Sequence, residues 1–357
     1  MIRLVMVNAL LVMGTSNIVS DIKPDERVIF FPTLGQPTDD GGWKLHIHGL
    51  VFEPEDNSVF RKLLLQLFEG RLDLDRADKE SVTFRRRAAP FLVDNERGKR
   101  AVIQIGDLRF KLAASGPNGH FEDFVQLTAD QAKPWMHEGR PAWVKFHAAL
   151  RPADSRRFEG TVLLLPRTGT SVVSDIDDTI KISEVHDKRK LFLNTSLNPF
   201  QPVPGMVEFH SRLAQSNATF HYVSASPWAL YEPLAEFCRE FGYPDGVFSL
   251  IHFRWKDASF FNLMAEAKDK KVPAIESLIE GWPERRFILI GDSGESDPEI
   301  YGDVARKYPN QVLWALIRDV KGEDRTSLRM KQAFENVPEE RWIIFRDPTE
   351  LKDRSFP

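Results

Sequence analysis

With 357 residues the chain has room for about two domains. Hydrophobic residues at 42% and charged residues at 28% describe a globular protein with ample core material, which excludes a disordered or collagen-like chain. The net charge of -4 argues against nucleic acid as the main partner, and the single cysteine, Cys238, excludes an internal disulfide and a cysteine-built metal site.

The first segment admits two readings. Arg3 followed by the apolar run Leu4–Met13 and then Gly14, Thr15 and Ser16 has the order of a signal peptide over residues 1–20, cut after Ser16 or Ser20. The same run also reads as the first strand of the next domain. It is too short for a membrane-spanning helix, which needs ~20 apolar residues, so no transmembrane helix is expected. Export and cytoplasmic residence both stay open.

Residues 21–166 read as a mainly β, sandwich-like domain. Val28–Phe31, Trp43–Phe52, Val102–Ile105, Phe121–Leu127, Trp143–His147 and Phe158–Leu165 are short runs, several alternating apolar with polar residues. Gly, Pro, Asp and Asn clusters separate them. Even spacing suggests an immunoglobulin-like sandwich. One helical pattern, Ser58–Phe68, interrupts. His46 and His48 alternate on one strand face, but without a third ligand close in sequence they read as surface or packing histidines. Arg85–Arg87 and Arg97–Arg100 are basic clusters that read as solvated strand ends, with an anionic lipid surface as the alternative.

At 166–170 the pattern changes to alternating strands and helices over residues 167–357, the signature of an α/β parallel sheet. The strands are Ser171–Ser174, Thr219–Val223, Phe287–Ile290, Gln311–Ile317 and Trp342–Phe345. Helices are expected at Gly205–Leu213, Trp228–Phe241, Lys271–Glu280, Pro298–Tyr308 and Arg325–Glu335, with 184–204 an irregular loop and 242–270 mixed. No glycine-rich dinucleotide fingerprint is present.

Two of these strands end in acids. Ser171–Ser174 runs into Asp175-Ile-Asp177-Asp178-Thr179, and Phe287–Ile290 into Gly291-Asp292-Ser-Gly-Glu295-Ser-Asp297. Ligands and chemistry in open α/β sheets sit just outside the carboxyl ends of the strands. Carboxylates spaced i and i+2 can divide two jobs, attack on phosphorus and proton transfer to the leaving oxygen. Adjacent parallel strands would gather Asp175 and Asp292 around a hard cation such as Mg2+. An EF-hand reading fails, because loop positions 6 and 12 hold Ile180 and His186 in place of glycine and glutamate.

Asp175-x-Asp177-x-Thr179 with a later Gly291-Asp292-x-x-x-x-Asp297 resembles the haloacid dehalogenase (HAD) superfamily. The stretches Ser174–Ser183, Tyr222–Trp228 and Ile290–Tyr301 resemble, within it, the phosphatidate phosphatase family of the actin-patch type. The resemblance runs over roughly residues 168–346. It implies a Rossmann-like HAD parallel sheet with helices on both faces, preceded by the mainly β domain. It also implies a Mg2+-dependent phosphoric monoester hydrolase that converts phosphatidate to diacylglycerol through an aspartyl-phosphate. Asp175 would be the nucleophile and Asp177 the proton donor and base, its pKa raised toward neutrality by neighbouring acids.

By the same resemblance the metal ligands are Asp175, Asp177 through its carbonyl, and Asp292, with Asp297 orienting from behind. Thr179 and Ser224 would hold phosphate oxygens, Ser226 cap a helix and Asp178 cap backbone amides. Arg254 matches a basic position of the family that meets substrate. Among Lys268, Lys270 and Lys271, the family spacing selects Lys271, twelve residues before Pro283, as the stabilising cation. Neither gap between the motifs is long enough for a full cap domain, so the site is expected to be open, as suits a phosphorylated lipid at a membrane surface. A phosphatase of another phosphoester or phosphoprotein, a phosphotransferase, and an inactive HAD-fold binding protein are the alternatives.

Overall fold

The structure, a computed structural model, describes residues 10–11, 18–54, 81–91, 93–136, 139–252 and 267–356; for 10–11 and 267–270 only the backbone is described. The expected helix Ser58–Phe68, most of the signal-peptide segment, Arg254 and the side chains of Lys268 and Lys270 lie outside this range. The chain divides into two compact units, 1–63 with 92–167, and 64–91 with 168–357.

In the first unit the described strands are β1 (Leu10–Leu11), β2 (Arg27–Phe31), β3 (Thr33–Pro37), β4 (Trp43–Glu53), β5 (Asp94–Asn95), β6 (Arg100–Ile105), β7 (Leu108–Ala114), β8 (His120–Leu127), β9 (Ala142–Ala148) and β10 (Glu159–Leu164). They are linked in one ten-stranded sheet, β1-β7-β6-β9-β10-β3-β4-β2, with β5 and β8 also on β4. All pairs are antiparallel except β10 with β3. The separate sheets expected of a sandwich are therefore one mixed sheet, curled so that Leu45, Ile47, Phe110, Leu112, Val125, Val144 and Val162 meet in one core. Sequence spacing reports strand number but not which strands continue one ladder. Leu10 and Leu11 of β1 pair with Lys111 and Phe110 of β7.

The second unit holds β11 (Thr170–Ser174), β12 (Thr219–Pro227), β13 (Gly246–Ile251), β14 (Arg286–Asp292), β15 (Val312–Arg318) and β16 (Trp342–Phe345). They form a wholly parallel sheet in the order β13-β12-β11-β14-β15-β16. Its helices are α1 (Val82–Ala88), α2 (Lys188–Ser196), α3 (Met206–Gln215), α4 (Tyr231–Phe241), α5 (Ala267–Gly281), α6 (Asp297–Lys307) and α7 (Leu328–Ala333). Strand β13 and helix α2 depart from expectation. Helix α2 falls in the 184–204 stretch read as loop, and is started by the Asp187 carboxylate accepting from the Arg189 and Lys190 amides.

Alternation along the strands sends Val172, Phe220, Tyr222, Ile288 and Ile290 to one face, where Met206, Phe209 and Leu213 of α3 and Leu234, Phe237 and Cys238 of α4 complete a core. Helix α5 packs against β12, and α6 against β14 and β15. The basic cluster Arg85–Arg87 lies on α1 and is not a solvated strand end. Arg87 is buried, donates to the carbonyls of Thr195 and Asn198, and lies over the Phe200 ring, while Arg86 pairs with Glu236 at 2.7 Å.

Candidate active site

The carboxyl ends of β11 and β14 place the acids, and that of β12 places Ser224 and Ser226. In-register pairing puts Ser174 between Tyr222 and Ile290, so the chain leaves β11 at the centre of the sheet. The Asp175 amide still donates to the Ile290 carbonyl at 2.8 Å, which carries the ladder one residue beyond the strand and fixes the first carboxylate. Below it, the fully buried Arg285 donates to the Thr168 and Thr170 carbonyls and to Ser171 Oγ, tying down the start of β11.

Helix α5 delivers Lys271 into the acids. Its ammonium donates to Asp175 Oδ1 at 2.7 Å, to Asp297 Oδ1 at 2.8 Å and to Glu295 Oε2 at 3.2 Å. Burial alone would lower the Lys271 pKa, but Asp175, Asp297 and Glu295 hold it well above the usual lysine value, so it is a permanent cation. Burial pushes Asp175 well above the ordinary carboxylate range, with Lys271 opposing. Burial also raises Asp292, followed by the charges of Asp297 and Asp175, and it raises Glu295.

Gly291 makes the crowding sterically feasible. A Cβ there would meet Asp297 Oδ2 at 2.3 Å and Tyr301 Cε2 at 2.8 Å.

Asp177 has a separate set of partners. Lys181 lies 2.8 Å from its Oδ1, which also accepts from Ser183 Oγ at 2.6 Å. Its Oδ2 accepts from Ser226 Oγ at 2.8 Å and Ser224 Oγ at 3.2 Å. Burial would raise this carboxyl, but Lys181 and the hydroxyl donors bring it down to about 2. The expectation of a raised Asp177 pKa is thus corrected: the nearest charge is a lysine four residues on. Ser226, expected to cap a helix, donates to Asp177 instead, and the following helical turn has no side-chain cap.

Asp178 behaves as expected of a structural residue. Its carboxylate accepts the amides of Ser183, Glu184 and Val185 at 2.7–2.8 Å, and its φ of 55° is a left-handed value that Asp tolerates. The Thr179 hydroxyl is fully buried with no hydrogen-bond partner among the described residues.

Of the positions singled out in the sequence, Asp175, Lys271 and Asp297 converge directly, Asp292 lies against them electrostatically, and Asp177 sits with Ser224. The tight carboxylate triad, with oxygens within 4.8 Å of one another, is Asp175, Glu295 and Asp297. Glu295, Lys181, Ser183 and Ser226 were missed as site residues, although all four stand inside the stretches that carry the family resemblance.

The donor set fits a hard divalent cation. Asp175 Oδ2, Asp292 Oδ2 and Glu295 Oε1 are buried oxygens with no hydrogen-bond partner among the described residues. Among the described residues, the four carboxylates Asp175, Asp292, Glu295 and Asp297 face one ammonium, that of Lys271. Buried carboxylates without enough countercharge are costly, and an oxygen-preferring ion relieves that deficit.

Residues 170–319 match the family model described as the catalytic domain of phosphatidate phosphatase APP1. An uncharacterized protein of Schizosaccharomyces pombe is 33% identical over 171 residues, 47% of this chain and 28% of its own length. A phosphatidate phosphatase of Saccharomyces cerevisiae is 34% identical over 156 residues, 42% of this chain and 26% of its own length. The matches thus span less than a third of either curated relative. A solved phosphoserine phosphatase in its apo form aligns over 51% of this chain and 96% of its own, at 11% identity and a TM-score of 0.33, a likeness too slight to carry an argument.

Proposed function

Because residues 170–319 match the catalytic domain of that phosphatidate phosphatase family, we propose that this protein hydrolyses phosphoric monoesters, with phosphatidate as substrate and diacylglycerol as product. The observation that carries the proposal is the convergence of Asp175, Lys271 and Asp297, with Asp177 beside them, at the ends of adjacent parallel strands. The six-stranded sheet is read as the Rossmann-like HAD core and residues 167–357 as the phosphatase domain.

In the proposed reaction Asp175 attacks phosphorus and becomes an aspartyl-phosphate while the ester oxygen departs. Lys271 holds Asp175 Oδ1 and orients the carboxylate, and its positive charge draws in the phosphoryl group. Asp177 rests as a carboxylate. A singly protonated phosphate monoester arriving beside Asp177 Oδ2 raises the proton affinity of that carboxylate and gives it the proton that Asp177 then hands to the leaving alkoxide. It then takes a proton from the water that opens the acyl-phosphate bond. Ser224, Ser226 and Thr179 offer hydroxyls to the phosphate oxygens. Mg2+, held by Asp175, the Asp177 carbonyl and Asp292 with Glu295 and Asp297 adjoining, would supply charge neutralisation between nucleophile and phosphate.

The test is phosphate release from phosphatidate in mixed micelles, with Mg2+ and with chelator, for wild type and Asp175→Asn. Metal-dependent release that falls at least about 10^3-fold in the variant is the expected result. Release from a soluble aryl phosphate but not from phosphatidate would overturn the lipid assignment and keep the chemistry. No release from either substrate by folded protein would overturn both.

A further inference from the structure

The face of β4 and β8 turned away from the core carries a cluster that the phosphatase chemistry does not use. Alternation sends Leu45 and Ile47 of β4, and Phe121 and Val125 of β8, into the core of the first unit. The opposite face takes His46, His48, His120 and Glu122. The antiparallel register sets His48 directly across from Glu122, with His120 two residues along β8. His46 and His48 lack a third donor nearby in sequence, and strand pairing supplies it from 72 residues downstream.

His48 stands within reach of each of the other two donors. His48 Nε2 lies 3.0 Å from His120 Nδ1 and 3.9 Å from Glu122 Oε1, and Glu122 Oε2 lies 3.4 Å from His46 Nε2. Two nitrogens on one zinc ion at its usual bond length sit about 3.3 Å apart, so the imidazole pair needs to open only slightly. Phe31, opposite His48 on β2, lies against the His48 and His120 rings with centroids 4.7 and 5.8 Å away and walls one side. His48 is 3% exposed, whereas Glu122 is open to solvent.

We propose that His48, His120 and Glu122 bind a divalent transition-metal ion of the zinc class, with His46 holding the second oxygen of Glu122. Imidazole donors suit zinc and its neighbours and disfavour Mg2+, which takes oxygens, so this site is chemically distinct from the acidic one. Binding displaces the proton shared between His48 and His120. The His46 contact on Glu122 is the kind of outer partner that orients a ligand.

The experiment titrates Zn2+ into the full chain in buffer with excess Mg2+, by calorimetry, and follows the visible d–d absorption of Co2+ as a second readout. Wild type is expected to take up one ion, and His120→Gln to weaken uptake at least about tenfold, with phosphate release in Mg2+ unchanged. Circular dichroism checks folding. Because Glu122 is exposed, Glu122→Gln provides a second variant if His120→Gln fails to fold, and it too is expected to weaken uptake. Absence of Zn2+ uptake by wild type, uptake unchanged in both variants, or uptake abolished by Asp292→Asn but not by Glu122→Gln would each overturn the proposal.

Discussion

Asp177 and Lys181 are four residues apart, yet they form a buried ion pair because the turn after β11 folds Lys181 back beside Asp177. The Asp177 carboxyl is held at about 2 when folded, against an unperturbed 3.8, a difference worth about 2 kcal/mol. A depressed folded pKa stabilises above the unfolded value, so this contribution is present above pH ~4 and disappears as pH falls toward ~2. Lys181→Met leaves Asp177 buried without its cation and should cost about 3 kcal/mol at pH 7. In that variant the carboxyl pKa rises, so the loss relative to wild type should shrink at pH 3. Urea denaturation at both pH values measures this; an equal loss at both would show that the pair is not held by charge.

At the level of elements, the loop after β14 carries Glu295, leads into Asp297 at the start of α6, and is clamped from α7. Arg329 donates to the Ser293 carbonyl at 2.6 Å and to the Glu295 carbonyl, and pairs with Glu299 at 2.7 Å and Glu323 at 2.8 Å. One guanidinium thereby ties α6, α7 and the acidic loop together through a planar fork that lysine cannot reproduce. Arg329→Met, and also Arg329→Lys, should raise the Mg2+ concentration for half-maximal phosphate release about tenfold or more. A Mg2+ titration of activity decides it, and an unchanged midpoint would mean that the loop is held from elsewhere.

At the scale of the whole molecule, each unit has its own apolar core, one gathered inside the curled sheet and one between the parallel sheet and α3 and α4. No helix among the described residues is long and apolar enough to cross a membrane. Two separate cores predict thermal unfolding in more than one step. Because Asp175, Asp292, Glu295 and Asp297 belong to the second unit, Mg2+ at a hundredfold excess over its Kd should stabilise that step by about 2.7 kcal/mol and leave the other unmoved. Calorimetric scans with Mg2+ and with chelator test this, and a uniform shift of all transitions would count against it.

The sequence by itself determined that acids cluster at two strand ends. Mainly apolar runs that stop beside Asp175 and Asp292 mark the carboxyl ends of parallel strands buried on both faces, which is where ligands and chemistry sit in an open α/β sheet. The Asp178 amide cap and the burial of Cys238 were legible for the same local reason. Only the tertiary structure decided which charges meet. The Asp177 acidity depends on Lys181 and two serines from β12, the place of Glu295 depends on Lys271 arriving from α5, and Arg87 is buried because α1 packs beside α2. His48 found its neighbours by strand register. Electrostatic energy follows distance in space, and no one-dimensional spacing reports the distance between residues brought together from separate elements.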